Sequence, residues 1–385
     1  MELNYATQIR RQLHMYPEVG FDLPRTLELL RCQLDDMGVE YTEKYGKSSI
    51  VATVNPEKTG FTIGVRADTD ALPIVERNDV PYKSCIDGQM HACGHDAHTA
   101  ILLDTVRRIN EMRDSINCRV RFLFQAAEEY TTSGAKLMAE DGVMDDIDCI
   151  VALHCNPATK IGCVAVAPGE QNAISHGFKL DFYGKSAHAA DQEKGNDAIM
   201  MAVKAYTDME FMIAKQFGAR TPMVLNVGAI HGGVTNNIIA DHCSMFCTLR
   251  SWSDQNAELA IEKIKRIAAS AAENMDGRYE YTVCKHYPIV VNNPTVTDRL
   301  RRAAAAVVGE QNVGARGRSM GGEDFSYFAR LKPGCMLYLG IRNEEKGIVS
   351  GLHNDDFDID EDALAIGSDI FVRFILDNMN GIDFQ

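Results

Sequence analysis

Apolar residues in the first 36 positions recur at helical spacing, at Ile9 and Leu13 and again at Leu27, Leu30 and Leu34, with Pro17 and Pro24 punctuating the run. The pattern predicts one amphipathic helix or a pair of them. Four short apolar runs follow, Ser49–Val54, Phe61–Val65, Arg119–Phe124 and Asp148–Leu153. Between them helical periodicity covers roughly Ala97–Met112 and Ser133–Glu140. Strands alternating with helices predict a mostly parallel central sheet flanked by helices, and unbroken apolar runs such as CIVAL suit strands buried on both faces.

From about Gly177 the rhythm changes. Phe178–Tyr183 reads as a strand and Asp197–Lys215 as a long, Met-rich helix. Pro222–Ile230 and Asp241–Arg250 read as strands joined by the turn-rich HGGVTNN, then Asn256–Asn274 as an Ala-rich helix and Tyr279–His286 as a strand. The order β-α-β-β-α-β is that of a ferredoxin-like α+β sandwich. The sequence therefore predicts an α/β domain from residues 1–172 and 288–385, with an inserted domain at 173–287. A helix at Thr297–Val308, a strand at Cys335–Gly340 and a closing helix from about Glu361 complete the first domain. Hinges are expected near Gly169–Gly177 and Tyr287–Asn293.

Composition fits this picture. A chain of 385 residues is too long for one compact core, and 45% hydrophobic with 24% charged residues excludes a disordered or fibrous chain. The net charge of −15 disfavours nucleic acid and anionic membranes as partners. The opening segment has no signal-like apolar region, and no apolar run approaches the ~18 residues of a membrane helix. Eleven cysteines are scattered without a CxxC pair, which argues against a disulfide framework and for a reduced, cytoplasmic protein. Lone cysteines such as Cys32 and Cys118 are expected to be small buried hydrophobes.

Three apolar runs end in residues that bind metals or protons. FTIGV leads into RADTDALPI with Asp68 and Asp70, RVRFLF into QAAEEY with Glu128 and Glu129, and CIVAL into His154. Open parallel sheets bind ligands beyond the carboxyl ends of their strands. HACGHDAH, residues 91–98, adds His91, Cys93, His95, Asp96 and His98 just before a helix. Thiolate, imidazole and carboxylate together favour zinc first, then cobalt, nickel or manganese. Of two adjacent carboxylates, one can be a ligand while the other acts as general base toward a water that the metal activates. No GxSxG elbow and no GxGxxG loop is present. His14, His231, His242 and His286 lack such company and are expected to be structural.

RADTDALPI, MHACGHDAHTA, QAAEE, LH at 153–154, GKSAHAA, GGEDFSYF and GLHNDDF occur in this order across essentially the whole chain. Together they resemble the N-acyl-amino-acid amidohydrolases, among them hippurate hydrolases, indole-acetyl-amino-acid hydrolases and N-acetyl-diaminopimelate deacetylases. These belong to the aminoacylase, acetylornithine-deacetylase and carboxypeptidase superfamily of two-metal peptidases. The resemblance implies two divalent ions per subunit (Zn, Mn, Co or Ni) bound by Cys93, His95, Glu129, His154 and His353, with the Cys93 thiolate bridging. It implies Glu128 as general base and Asp70 as the residue orienting a ligand. It further implies that His188 stabilises the oxyanion, delivered from the partner subunit in related dimers, and that Asn237 and Arg250 hold the substrate carboxylate. The inserted domain would then be a lid and the dimerisation element.

Two departures lie near the expected substrate pocket. The chain reads ADQEKGNDA where the family often has Pro and His, and Ala240 stands where many relatives have proline. Both bear on substrate preference and neither touches an expected ligand. The expected activity is hydrolysis of the amide of N-acyl-L-amino acids (acetyl, benzoyl or similar). A dipeptidase or carboxypeptidase of the same superfamily and a non-catalytic metal-binding protein are the alternatives.

Overall fold

The structure, a computed structural model, describes residues 3–218 and 221–384. The chain divides into two compact units. One comprises Met1–Gln171, Val291–Gly317 and Asp324–Gln385, the other Asn172–Val290 and Arg318–Glu323. The short segment Arg318–Glu323 thus joins the second unit, where the rhythm of the sequence had left it with the first.

The first unit is built on an eight-stranded sheet. In spatial order its strands are Glu40–Thr42, Ile50–Val54, Arg119–Gln125, Thr62–Asp68, Cys149–Lys160, Gly334–Arg342, Val164–Ala165 and Val313–Gly314. Its centre is parallel, with Thr62–Asp68 paired to both neighbours and Cys149–Lys160 to Gly334–Arg342. The Ile50–Val54 side is antiparallel. Every residue of Thr62–Asp68 is buried, as a central strand covered on both faces must be.

Helices Tyr5–Met15, His95–Glu111, Asp362–Asn378 and Pro294–Val308 pack on one another in that order. Local chemistry starts several of them. The Asn4 side chain accepts the Thr7 N–H, Ser133 accepts the Lys136 N–H, and Asn293 caps a helix that opens with Pro294. Their apolar faces meet the sheet in one core that includes Leu103, Val106, Phe122, Phe124, Phe371 and Phe374. Burial of each such side chain stabilises by about 1.5–3 kcal/mol, and Phe374→Ala should cost about 3–5 kcal/mol.

One strand differs from the expectation in a way that matters. CIVAL was expected to stop at Leu153, but the strand runs on to Lys160 because its ladder with Gly334–Arg342 continues as far as Lys160 against Arg342. His154 therefore sits inside a paired strand and not beyond its end. Cys32 is also exposed, while Cys118 is buried as expected.

The second unit is a four-stranded antiparallel sheet in the order Arg278–Tyr287, Ile174–Tyr183, His242–Ser251, Met223–Gly232. Helices Ala198–Gln216 and Asp254–Glu273 cover one face, packing Met201, Ala205, Met209, Ile264 and Ala268 on Phe178, Leu180, Phe182 and Leu249. Small alanines toward the sheet let both helices lie close. Along the chain the elements run strand, helix, strand, strand, helix, strand. Among the described residues no helix is long and apolar enough to cross a membrane.

Candidate metal centre and catalytic site

Asp70, two residues past the end of the Thr62–Asp68 strand, is buried. Its carboxylate accepts the backbone N–H of Glu128 at 2.9 Å and of Glu129 at 3.0 Å, clamping the turn that carries both glutamates. That turn passes through Ala127 at φ 56°, a left-handed conformation unusual for a residue with a side chain. The Asp70 carbonyl accepts the Nδ1–H of His95 at 2.8 Å, which points His95 Nε2 away from it. His95 opens its helix directly after Gly94. That glycine has φ 86°, and a Cβ on it would lie 3.1 Å from Cβ of Cys155, so the tight HACGH turn depends on glycine here.

Around this turn the expected ligand atoms converge. Cys93, His95 and His154 form one group in which the possible ligand atoms lie within 4.8 Å of one another. Cys93, Glu129 and His353 form a second, and His95, Glu128 and Glu129 a third. The Cys93 sulfur is 3.6 Å from His154 Nε2, and His353 Nε2 is 2.9 Å from a Glu129 oxygen. His154 donates its Nδ1–H to the carbonyl of Cys155 at 2.8 Å, leaving Nε2 as the lone-pair nitrogen that faces Cys93. His353, also at positive φ (64°), is tied to the HACGH turn by its backbone N–H, which donates to the Ala92 carbonyl at 2.8 Å.

His188, Asn237 and Arg250 all lie in the second unit. His188 and Asn237 are close: the Ala189 N–H donates to the Asn237 carbonyl at 3.0 Å, extending the ladder beyond Tyr183. His188 is exposed, and its Nδ1 accepts the Ala190 N–H at 3.0 Å, so the ring proton sits on Nε2. Arg250 stands elsewhere. It pairs with Ser175, eight residues along the strand from Tyr183, or about 26 Å of extended chain. The structure thus does not bring Asn237 and Arg250 together within one copy.

Peptidase family M20/M25/M40 matches residues 64–377. This chain belongs to it. It is 34% identical to thermostable carboxypeptidase 2 of Saccharolobus solfataricus, over 95% of this chain and 93% of the relative. It is 30% identical to N-acetylcysteine deacetylase of Bacillus subtilis, over 95% of this chain and 94% of that protein. A dinuclear metal-binding peptidase of the M20 family from B. subtilis shares its fold at TM-score 0.78, with 27% identity and 96% of each chain covered. The M20 chain is a metal-dependent hydrolytic enzyme of the amidohydrolase and peptidase kind.

The electrostatics of this M20 site fit a cation. His95 Nε2 is buried with no hydrogen-bond partner, 3.6 Å from an Asp68 oxygen. Burial opposes an imidazolium there, yet Asp68, Cys93 and Asp70 outweigh it and raise the His95 pKa well above 6.5. Burial pushes the Cys93 thiol well above its ordinary value, against the pull of His95. Burial, then repulsion by His98, pushes His154 down to about 3, leaving the neutral imidazole a metal requires. A thiol needing a positive partner, a neutral imidazole and an orphaned buried nitrogen together form a donor set suited to a divalent ion.

Three supporting networks pair residues whose partners the sequence did not show. His98 donates Nδ1–H to Asp68 at 2.5 Å and accepts the Cys155 N–H on Nε2 at 2.9 Å, fixing the strand just after His154. Buried Arg66 joins Asp68 (2.8 Å), Gln125 (2.8 Å) and Asp324 (2.7 Å), and Asp324 also accepts from Ser133 at 2.7 Å. His14, expected to lack chemical company, instead contacts Asp96 at 2.7 Å and Glu76 at 3.3 Å beside fully buried Arg10, which donates to Asp96 at 3.0 Å. Asp68, Asp96 and His98 were among the residues singled out in the sequence, and the further signals were an arginine inside an apolar strand run, GVRAD, and the acid in GGEDF.

Proposed function

We propose that this enzyme hydrolyses the amide bond of N-acyl-amino acids at a pair of divalent ions held by Cys93, His95, Glu129, His154 and His353, releasing a carboxylate and a free amine. One observation carries the reading: the ligand atoms of these five side chains, far apart in sequence, form overlapping groups within 4.8 Å, with Glu128 adjoining His95 and Glu129. Cys93, His95 and Glu129 each belong to two of the groups, so the three link the cluster together. Bound there, zinc, manganese, cobalt or nickel would polarise the scissile carbonyl and lower the pKa of water toward about 7.

Glu128 takes the proton of the attacking water and returns it to the leaving nitrogen. Asp70 keeps the Glu128 backbone in place for both transfers. His188, with its proton on Nε2, donates to the developing oxyanion. Arg250 receives the substrate carboxylate. Burial lowers its pKa and it has no acidic partner among the described residues, which supports a guanidinium reserved for a ligand. The second unit acts as lid and dimerisation element. Exposed Ile199, Met200, Val203, Tyr206 and Phe211 along its first helix support a partner surface, and the separation of Arg250 from His188 and Asn237 supports contributions from two copies.

The test is a substrate panel. Metal-free enzyme reloaded separately with zinc, manganese and cobalt is assayed on N-acetyl- and N-benzoyl-amino acids and on dipeptides. Faster turnover of the N-acyl substrates is expected. The likeness to a carboxypeptidase favours peptides as the second reading, and preferential cleavage of peptides would replace the first with it.

A further inference from the structure

His98 stands one turn after His95 on the His95–Glu111 helix, so the two imidazoles share a face. It is buried between two proposed ligands, its ring centroid 5.4 Å from that of His95 and 4.8 Å from that of His154. Asp68, His95 and His98 also place ligand-type atoms within 4.8 Å of one another. Yet His98 has no nitrogen left for a metal. Its Nδ1 meets Asp68 Oδ1 at 2.5 Å, and its Nε2 meets the Cys155 N–H at 2.9 Å.

These two bonds fix the tautomer. A carboxylate can only accept, so Nδ1 carries the proton. The backbone N–H of Cys155 can only donate, so Nε2 is bare and the ring is neutral. Asp68 is held in this role by buried Arg66, which donates to its other oxygen at 2.8 Å.

Cys155 lies three residues beyond the last pair, Arg66 against Ala152, that its strand makes with Thr62–Asp68. Past that point His98 Nε2 supplies the acceptor for the Cys155 N–H. The Cys155 carbonyl in turn accepts His154 Nδ1–H at 2.8 Å, and His154 Nε2 faces the Cys93 sulfur at 3.6 Å. The chain of contacts thus runs from Asp68 through His98 and one backbone residue to a ligand nitrogen.

We infer that His98 is a positioning residue, set in one tautomer by Asp68, that holds the Cys93, His95 and His154 half of the metal centre without ligating it. The inference rests on the two-ion reading above. The Cys93, Glu129 and His353 half is held by other contacts, the Asp70 clamp on Glu129 and the bond from the His353 N–H to Ala92. Loss of His98 should therefore weaken one ion and spare the other. An asparagine at 68 would keep its oxygen on Arg66 and turn its NH2 toward Nδ1, which drives the ring proton to Nε2, against the Cys155 N–H.

Two measurements test this. Long-range 1H–15N spectra of zinc-loaded wild type labelled at histidine should show His98 protonated on Nδ1. Protonation on Nε2, or on both nitrogens, overturns the inference, and this readout needs no variant. Zinc titration of wild type, His98→Phe and Asp68→Asn then reads the two ions separately. Phenylalanine keeps a ring against His95 and His154 and removes both nitrogens. Each variant should bind one ion as wild type does and the other roughly 10- to 100-fold more weakly. His98→Gln, whose amide oxygen can accept the Cys155 N–H, should recover part of the loss. Unchanged affinity for both ions, or equal weakening of both, overturns the inference. Wild type that binds no pair of zinc ions overturns the two-ion reading itself, and this inference with it.

Discussion

Asp70 accepts the backbone N–H of Glu128 at 2.9 Å, while its second carboxylate oxygen accepts that of Glu129 at 3.0 Å. The residue thus acts on the proposed base and on a proposed ligand at once, without touching substrate. An asparagine at this position would have one acceptor oxygen and would turn its NH2 toward the other amide. Asp70→Asn is therefore expected to lower both kcat and metal affinity roughly 10- to 100-fold. Steady-state kinetics and a metal titration on the same preparation check this. Wild-type values for both would mean that the turn is held by something else.

Glu128 and Glu129 are separated by role in the proposal and not by chemistry. Glu128→Gln should keep the wild-type metal content by elemental analysis and lose roughly 10²- to 10⁴-fold in kcat. An active variant would exclude Glu128 as the base.

Cys93 is common to two ligand groups. Cys93→Ala should lower the bound metal measured by elemental analysis and leave the fold intact by circular dichroism, because the alanine removes little volume. Full metal content would remove Cys93 from the site.

The proposed centre is legible in the sequence through chain-local signals. Asp70 just past one strand, Glu128 and Glu129 after another, and Cys93 with His95 in one short turn follow the rule that ligands gather at strand ends. What it could not show is pairing across long separations. Arg66 and Asp324 lie 258 positions apart and meet inside the first unit. Arg10 reaches from the first helix to Asp96. An isolated arginine or aspartate has no periodicity, so only the folded sheet reveals its partner. The reach of the His154 strand was hidden for the same reason, since its polar continuation NPATK is held by a ladder and not by apolar burial. The sheet of the second unit likewise set Arg250 far from Asn237, a distance no motif encodes.

His14 supplies a pH signature. Burial works against its imidazolium, but Asp96, through charge and a hydrogen bond, and Glu76 outweigh burial and the opposing Arg10, so its pKa is raised above 6.5. A raised folded-state pKa stabilises fully below the unfolded value and fades as pH rises through the folded one. The stability gap between metal-free wild type and His14→Gln, read by thermal unfolding, should be wide at about pH 6 and narrower at about pH 9. A gap that widens with pH would mean that the buried histidine is neutral.

His188 and Arg250 lie toward opposite ends of one sheet, about 26 Å or more apart. The oxyanion and the carboxylate of one N-acyl-amino acid are only a few bonds apart, so a single copy cannot offer both residues to one substrate molecule. Two copies related by a two-fold axis can, if the His188 end of one sheet meets the substrate held by the other copy. The consequence is complementation between two inactive variants. His188→Ala keeps Glu128, Glu128→Gln keeps His188, and a mixed dimer contains one site with both. Mixing the two after reversible dissociation should restore about a quarter of wild-type activity, since half of the dimers are mixed and each has one intact site. Light scattering on the same samples should give a dimeric mass. Weakening the exposed apolar helix face with Met200→Glu and Val203→Glu should shift that mass toward the monomer and abolish the restored activity. No recovery from a mixture shown to exchange subunits would place His188 in the same copy as the Glu128 it is proposed to serve.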